Sequence, residues 1–186
     1  EARAYVRSAC LEAGLAIRED AVGNLFARWA GTDPSLPAVC TGSHIDAIPN
    51  AGMYDGTVGV LGALEAIRAL QAAGVSPRRS IELLMFTSEE PTRFGMGCLG
   101  SRLMAGALPL EKARVLRDRE GRSLDELRAE AGCRGTLESV KLPDGFYHSF
   151  VELHIEQGPL LEREGLPVGI VEAIGSHADY MGIPRD

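Results

Sequence analysis

The sequence predicts an α/β fold, with a mostly parallel central sheet and helices on both of its faces. Three observations carry this. The run Ile81-Glu-Leu-Leu-Met-Phe-Thr87 is nearly continuous in apolar character, as a strand covered on both faces should be. Residues 57–73 place Val60, Leu61, Leu64, Ile67 and Leu70 on one stripe of a helix that Gly74 and Pro77 terminate. Strand-like and helix-like segments alternate along the chain, the pattern of stacked β-α-β units.

The elements follow in order. Residues 1–13 put Val6, Cys10 and Leu11 at helical spacing, with Gly14 as the stop. Residues 15–18 and 24–29 read as two short strands joined around Ala21-Val-Gly23, a hairpin-like pair. Residues 37–44 read as a buried strand that delivers a histidine at its end. Small residues at Gly59, Gly62 and Ala63 would let the helix over 57–73 pack close to a sheet. A helix over about 99–105 follows, and Ser123-Leu-Asp-Glu126 is a capping box opening another that ends near Gly132. A third core strand is expected over 150–155 and a fourth over 168–174. Phe26 and Trp29 are expected in the core, and His148 in a loop.

With 45% hydrophobic residues, 186 residues suffice for one domain with a proper core. No stretch approaches the roughly 18–20 uninterrupted apolar residues of a membrane span. Nineteen Lys and Arg against 26 Asp and Glu give a formal charge of −7, which argues against nucleic acid as the main partner. The most charged segment, 111–134, nearly cancels within itself. Cys10, Cys40, Cys98 and Cys133 lie far apart without a C-x-x-C pair, which fits free thiols better than a disulfide framework.

Three polar clusters sit just after predicted strands: His44-Ile-Asp46 with Asp55, then Glu89-Glu90, then His154-Ile-Glu156-Gln157. In an open α/β sheet, ligands bind outside the carboxyl ends of the strands. Two imidazoles and several carboxylates without thiolates suit zinc, manganese or a similar divalent ion. Asp55 could bridge a metal pair. Each piece also has a plain structural reading. His44 and His154 could be hydrogen-bonded structural histidines, Glu89-Glu90 a solvated helix start, and Asp55-Gly56 a turn. The conjunction at strand ends favours a shared site. Arg93 and Arg102 read as surface ion pairs before substrate contacts.

The wording of these clusters resembles a known family. Thr41-Gly-Ser-His-Ile-Asp46, Tyr54-Asp-Gly56, Phe86-Thr-Ser-Glu-Glu-Pro-Thr-Arg-Phe94 and Leu153-His-Ile-Glu-Gln-Gly-Pro159 are similar to the co-catalytic metallo-aminoacylases. Within these, they resemble the branch of allantoate, ureidoglycolate and N-carbamoyl-L-amino acid amidohydrolases, over about residues 20–174. The stretch 88–102 resembles the ureidoglycolate amidohydrolase group most. The resemblance implies two divalent metal ions, manganese before zinc. It implies His44, Asp55, Glu90 and His154 as ligands, with His44, Asp55 and His154 on one ion and Asp55 bridging to Glu90 on the other. Glu89 matches the general base, and Asp46 the carboxylate that orients the neighbouring imidazole. Gln157, with Glu156 beside it, matches a contact to a small-molecule ureido substrate, and His177 the histidine that reaches across a dimer to the oxyanion. The implied reaction takes ureidoglycolate to glyoxylate, ammonia and CO2. An N-carbamoyl-L-amino acid or allantoate is the alternative substrate. No nucleic-acid or membrane partner is implied. The compartment would be cytoplasmic in a bacterium and the endoplasmic reticulum in a plant.

Both ends of the chain look cut, so a fragment is expected: residues 1–174 as the N-terminal part of a di-metal catalytic domain, and 175–186 as the junction to a smaller dimerisation domain. The family pattern includes a further metal-binding histidine that no residue here matches. An inactive fragment or scaffold is therefore the competing class, and the expectation for the chain alone is one tight and one weak metal site without turnover.

Overall fold

Helix α1 (Ala2–Glu12) buries Val6, Ala9 and Cys10 and stops before Gly14, whose φ of 74° lies in the left-handed region that glycine tolerates best. Strands β1 (Ala16–Glu19) and β2 (Leu25–Trp29) pair antiparallel, as the hairpin reading requires. Strand β3 (Ala38–His44), helix α2 (Thr57–Ala72) and strand β4 (Ile81–Phe86) form a β-α-β unit, with β3 and β4 adjacent and parallel. Helices α3 (Leu99–Met104), α4 (Leu110–Arg114) and α5 (Leu124–Glu130) and a 3-10 turn (Leu137–Val140) then lead to strand β5 (Tyr147–Val151), which pairs parallel with the other side of β3. This computed structural model describes residues 1–172, with residues 1–155 in one compact unit and those from Glu156 onward in a second.

The sheet order is β1-β2-β4-β3-β5. It is mixed: β4, β3 and β5 are parallel, and the hairpin adds an antiparallel half through β2 on β4. Strand alternation assigns the two faces. Leu25, Ala27, Leu83 and Met85 pack with Val6 and Cys10 of α1 and with Val60, Leu64 and Ile67 of α2. Phe26, Cys40 and Leu84 turn to the other face, where Met104, Leu142 and Tyr147 lie. At 11 residues, α1 is shorter than the ~12–15 at which an isolated helix becomes even marginal in water, so this packing holds it. Glu82 is buried on β4, where it accepts from Arg28 and from the Tyr147 hydroxyl and lies 3.7 Å from Arg18. Four strands thus meet at one carboxylate.

Three expectations need correction. The third strand is β5 at Tyr147–Val151, not residues 150–155. It is an edge strand with Phe150 and Val151 exposed, so the apolar run beyond it marks no burial. His148 accordingly lies within β5 rather than in a loop. Residues 168–172 of the expected fourth strand form no strand, and 173–174 lie outside the described residues. Helices α4 and α6 (Leu160–Glu164) and the 3-10 turn are too short for periodicity to announce. Among the described residues no helix is long and apolar enough to cross a membrane.

Candidate metal centre

The parallel half of the sheet ends its strands on one edge, and the chemistry gathers there. His44 is the last residue of β3, paired with Phe86 at the end of β4. Its ring is buried, and Nδ1 lies 2.9 Å from the backbone carbonyl of Asp46. A carbonyl only accepts, so Nδ1 carries the proton and Nε2 presents a lone pair in the neutral ring. His154 repeats the device three residues beyond β5: its Nδ1 donates to the carbonyl of Ile155 at 2.8 Å.

Both Nε2 atoms face one carboxylate oxygen. Asp55 Oδ1 lies 3.7 Å from Nε2 of His44 and 3.3 Å from Nε2 of His154. Asp55 reaches this place through Gly56, which caps α2 at a φ of 63°. A Cβ on Gly56 would fall 2.5 Å from Cε1 and from the carbonyl oxygen of His44. The Asp55-Gly56 pair is therefore more than a turn.

Beyond β4 the chain folds back through Ser88, itself at a φ of 51°, to present Glu89 and Glu90. The Asp46 carboxylate accepts from the backbone N–H of Glu89 at 3.3 Å and of Glu90 at 3.0 Å. It is the carbonyl of Asp46 that holds the His44 ring; the carboxylate lies 3.8 Å from Nδ1. Glu89 points Oε2 at Nε2 of His44, 3.5 Å away, and accepts at Oε1 from the thiol of Cys98 at 3.1 Å. Burial pushes the Cys98 thiol up to about 11, and the bond to Glu89 pushes the same way, so it stays a donor at neutral pH. Burial likewise pushes the Glu90 carboxyl up, reinforced by the negative charges of Glu89 and Asp55.

Among the described residues two groups of potential ligand atoms result, each within 4.8 Å: His44, Asp55 and His154, and His44, Glu89 and Glu90. The second holds Glu89 where the resemblance implies Asp55. The donor set fits a divalent cation. An imidazole lone pair facing a carboxylate oxygen is acceptor against acceptor, and two such pairs converge on Asp55. A proton or a cation between them relieves the repulsion, and imidazole with carboxylate suits zinc or manganese. Glu156 and Gln157 belong to the second unit, where Glu156 accepts from the N–H groups of Leu160 and Leu161 at the start of α6. His177 and the 174/175 boundary lie outside the described residues. Arg93 pairs with Asp118, as the ion-pair reading expects. A depression of about 400 Å³ lined by Val39, Pro77 and Ile81 lies at the opposite strand ends, away from these groups.

Sequence reasoning missed Cys98 as part of this site, and it read Gly56 in the Tyr54-Asp-Gly56 motif without its close approach to His44. Cys98 stands nine residues from the carboxylate it serves, inside the stretch 88–102 that carries the resemblance, but its residue type does not announce a bond to Glu89.

A sheet edge that gathers two imidazoles and paired carboxylates offers ligands to a divalent cation, and the chain belongs to peptidase family M28, whose model matches residues 24–121. It is similar to ureidoglycolate hydrolase of Arabidopsis thaliana, with 55% identity over 183 residues, 95% of this chain and 38% of that protein. N-carbamoyl-L-amino acid amidohydrolase of Geobacillus stearothermophilus is 46% identical over 93% of this chain and 42% of its own length. The crystal structure of AtUAH in complex with glyoxylate superposes with a TM-score of 0.84 at 55% identity, covering 88% of this chain and 40% of that one. The chain thus spans about two fifths of the length of the curated relatives it matches.

Proposed function

We propose that this chain carries part of the active site of a metal-dependent amidohydrolase that cleaves the ureido C–N bond of a small carboxylate, taking ureidoglycolate to glyoxylate, ammonia and CO2. The observation that carries this reading is the convergence of two imidazole Nε2 atoms on Asp55 Oδ1, with Glu89 Oε2 facing the same Nε2 of His44 and Glu90 beside it. Likeness to the ureidoglycolate hydrolase of Arabidopsis thaliana supports the substrate.

His44, Asp55 and His154 would hold one divalent ion and Asp55 with Glu90 a second, manganese before zinc. When bound, such ions polarise the carbonyl under attack and draw the pKa of water toward neutrality. Glu89 takes the proton of the attacking water at its free oxygen and returns it to the departing nitrogen. The Cys98 thiol occupies Oε1 of Glu89 and so leaves Oε2, the oxygen facing His44, for that transfer. Asp46 fixes the turn that presents both glutamates.

An N-carbamoyl-L-amino acid is the second reading, favoured by the Geobacillus relative. Both substrates offer a ureido group beside a carboxylate, so the chemistry at Glu89 is the same. The test is ammonia release with added Mn²⁺ by the protein containing this chain at its relatives' length, with each substrate in turn. Ureidoglycolate is expected to be turned over faster, and Glu89→Gln to slow it by about 10²- to 10⁴-fold while sparing Mn²⁺ binding. Faster turnover of the carbamoyl amino acid moves the assignment to the second reading, and unchanged turnover in Glu89→Gln removes Glu89 as the base.

A further inference from the structure

The ladder between β3 and β5 ends at Thr41↔Val151, so His154 stands three residues past the last paired residue. Something other than the sheet must hold its ring 3.3 Å from Asp55. Two contacts do so. Ser43, fully buried beside His44, donates its hydroxyl to Oε1 of Glu152 at 2.5 Å. Helix α2 then seats the same segment: a Cβ at Gly59 would lie 2.5 Å from both the Leu153 carbonyl oxygen and the Ser43 Cβ. One turn on, a Cβ at Gly62 would lie 2.9 Å from Cδ2 of Leu153. Gly59 and Gly62 of α2 thus admit Leu153, between Glu152 and His154, as well as Ser43 of the sheet.

We propose that Glu152 and Ser43 are positioning residues for His154: their hydrogen bond, seated against Gly59, presents the second imidazole to Asp55. The bond ties the residue before one imidazole to the residue two before the other, so it sets the spacing of the two rings. This rests on the metal reading above and adds to it a role for two residues outside the ligand set. Partners that orient a ligand in this way typically matter by about 10- to 100-fold in metal affinity.

The test is Mn²⁺ titration by calorimetry of the full chain as wild type, Glu152→Ala, Glu152→Gln, Ser43→Ala and His154→Ala, with amide hydrogen exchange over residues 152–155 recorded without metal. Glu152 is exposed, so its substitution leaves the core intact. Glu152→Ala and Ser43→Ala are expected to weaken binding about 10- to 100-fold. Glu152→Gln, which keeps an acceptor for the hydroxyl, restores most of it. Exchange over 152–155 speeds up in Glu152→Ala and returns toward the wild-type rate in Glu152→Gln. In a double variant that joins Glu152→Ala to His154→Ala, titrated in the same way, the Glu152 change costs little more than His154→Ala alone, because both act through one ligand. A Glu152→Ala chain that binds as wild type, or additive losses in the double variant, overturns the positioning role alone. A wild-type chain that binds no Mn²⁺ overturns the metal reading and this inference with it.

Discussion

A methyl group on Gly56 would place a carbon 2.5 Å from the His44 ring, at a φ of 63° that L residues adopt only under strain. Gly56→Ala is therefore expected to weaken Mn²⁺ binding by about 10- to 100-fold, the scale of a lost orienting contact, and to destabilise the fold by more than ~1 kcal/mol. Mn²⁺ titration and urea unfolding of the variant check both parts; wild-type affinity would mean that His44 can retreat without consequence. At this scale the sequence displays reactive types well. His44, Asp55, Glu89, Glu90 and His154 stand out because imidazoles and carboxylates after apolar runs are unusual. It conceals supporting atoms. The Cys98 thiol on Glu89 and the Ser43 hydroxyl on Glu152 join residues 9 and 109 positions apart, and neither type announces such a bond.

Local rules serve best for elements whose stabilising contacts are also local. The capping box is the clearest case: the Ser123 hydroxyl accepts from the Glu126 N–H, and the Glu126 carboxylate accepts from the Ser123 N–H. Ser123→Ala should cost ~1 kcal/mol, read by urea unfolding at neutral pH. The bonds from Ser123, first the side chain and then the backbone, hold the Glu126 carboxyl below its ordinary 4.5. With the folded pKa depressed, that contribution is present above 4.5 and fades as pH falls through the lower folded value. The difference between wild type and Ser123→Ala is thus expected to shrink in acid; a constant difference down to pH ~3 would deny Glu126 its part in the cap. β5 is the contrary case. Its strand sits three residues ahead of the expected start because pairing with β3, not apolar content, decides where an edge strand lies.

For the molecule as a whole, a cation held by the folded chain and not by the unfolded one must stabilise it by mass action. Mn²⁺ at 100 times its Kd should add ~2.7 kcal/mol, seen as a rise in Tm that a chelator reverses. A Tm indifferent to Mn²⁺ would contradict the reading of His44, Asp55 and His154 as ligands. The β-α-β core was legible in the sequence because its signals are periodic: a continuous apolar strand over Ile81–Phe86 and a helical stripe over Thr57–Ala72. The candidate ligands were legible because imidazoles and carboxylates cluster just after several predicted strands at once, although each alone also has a structural reading. The direction of the β1–β2 half of the sheet, the edge position of β5 and the acceptor-to-acceptor approach of two rings to Asp55 were decided by tertiary structure alone. Each depends on which distant segments are brought side by side, and hydrophobic period, a property of neighbours along the chain, carries no record of neighbours in space.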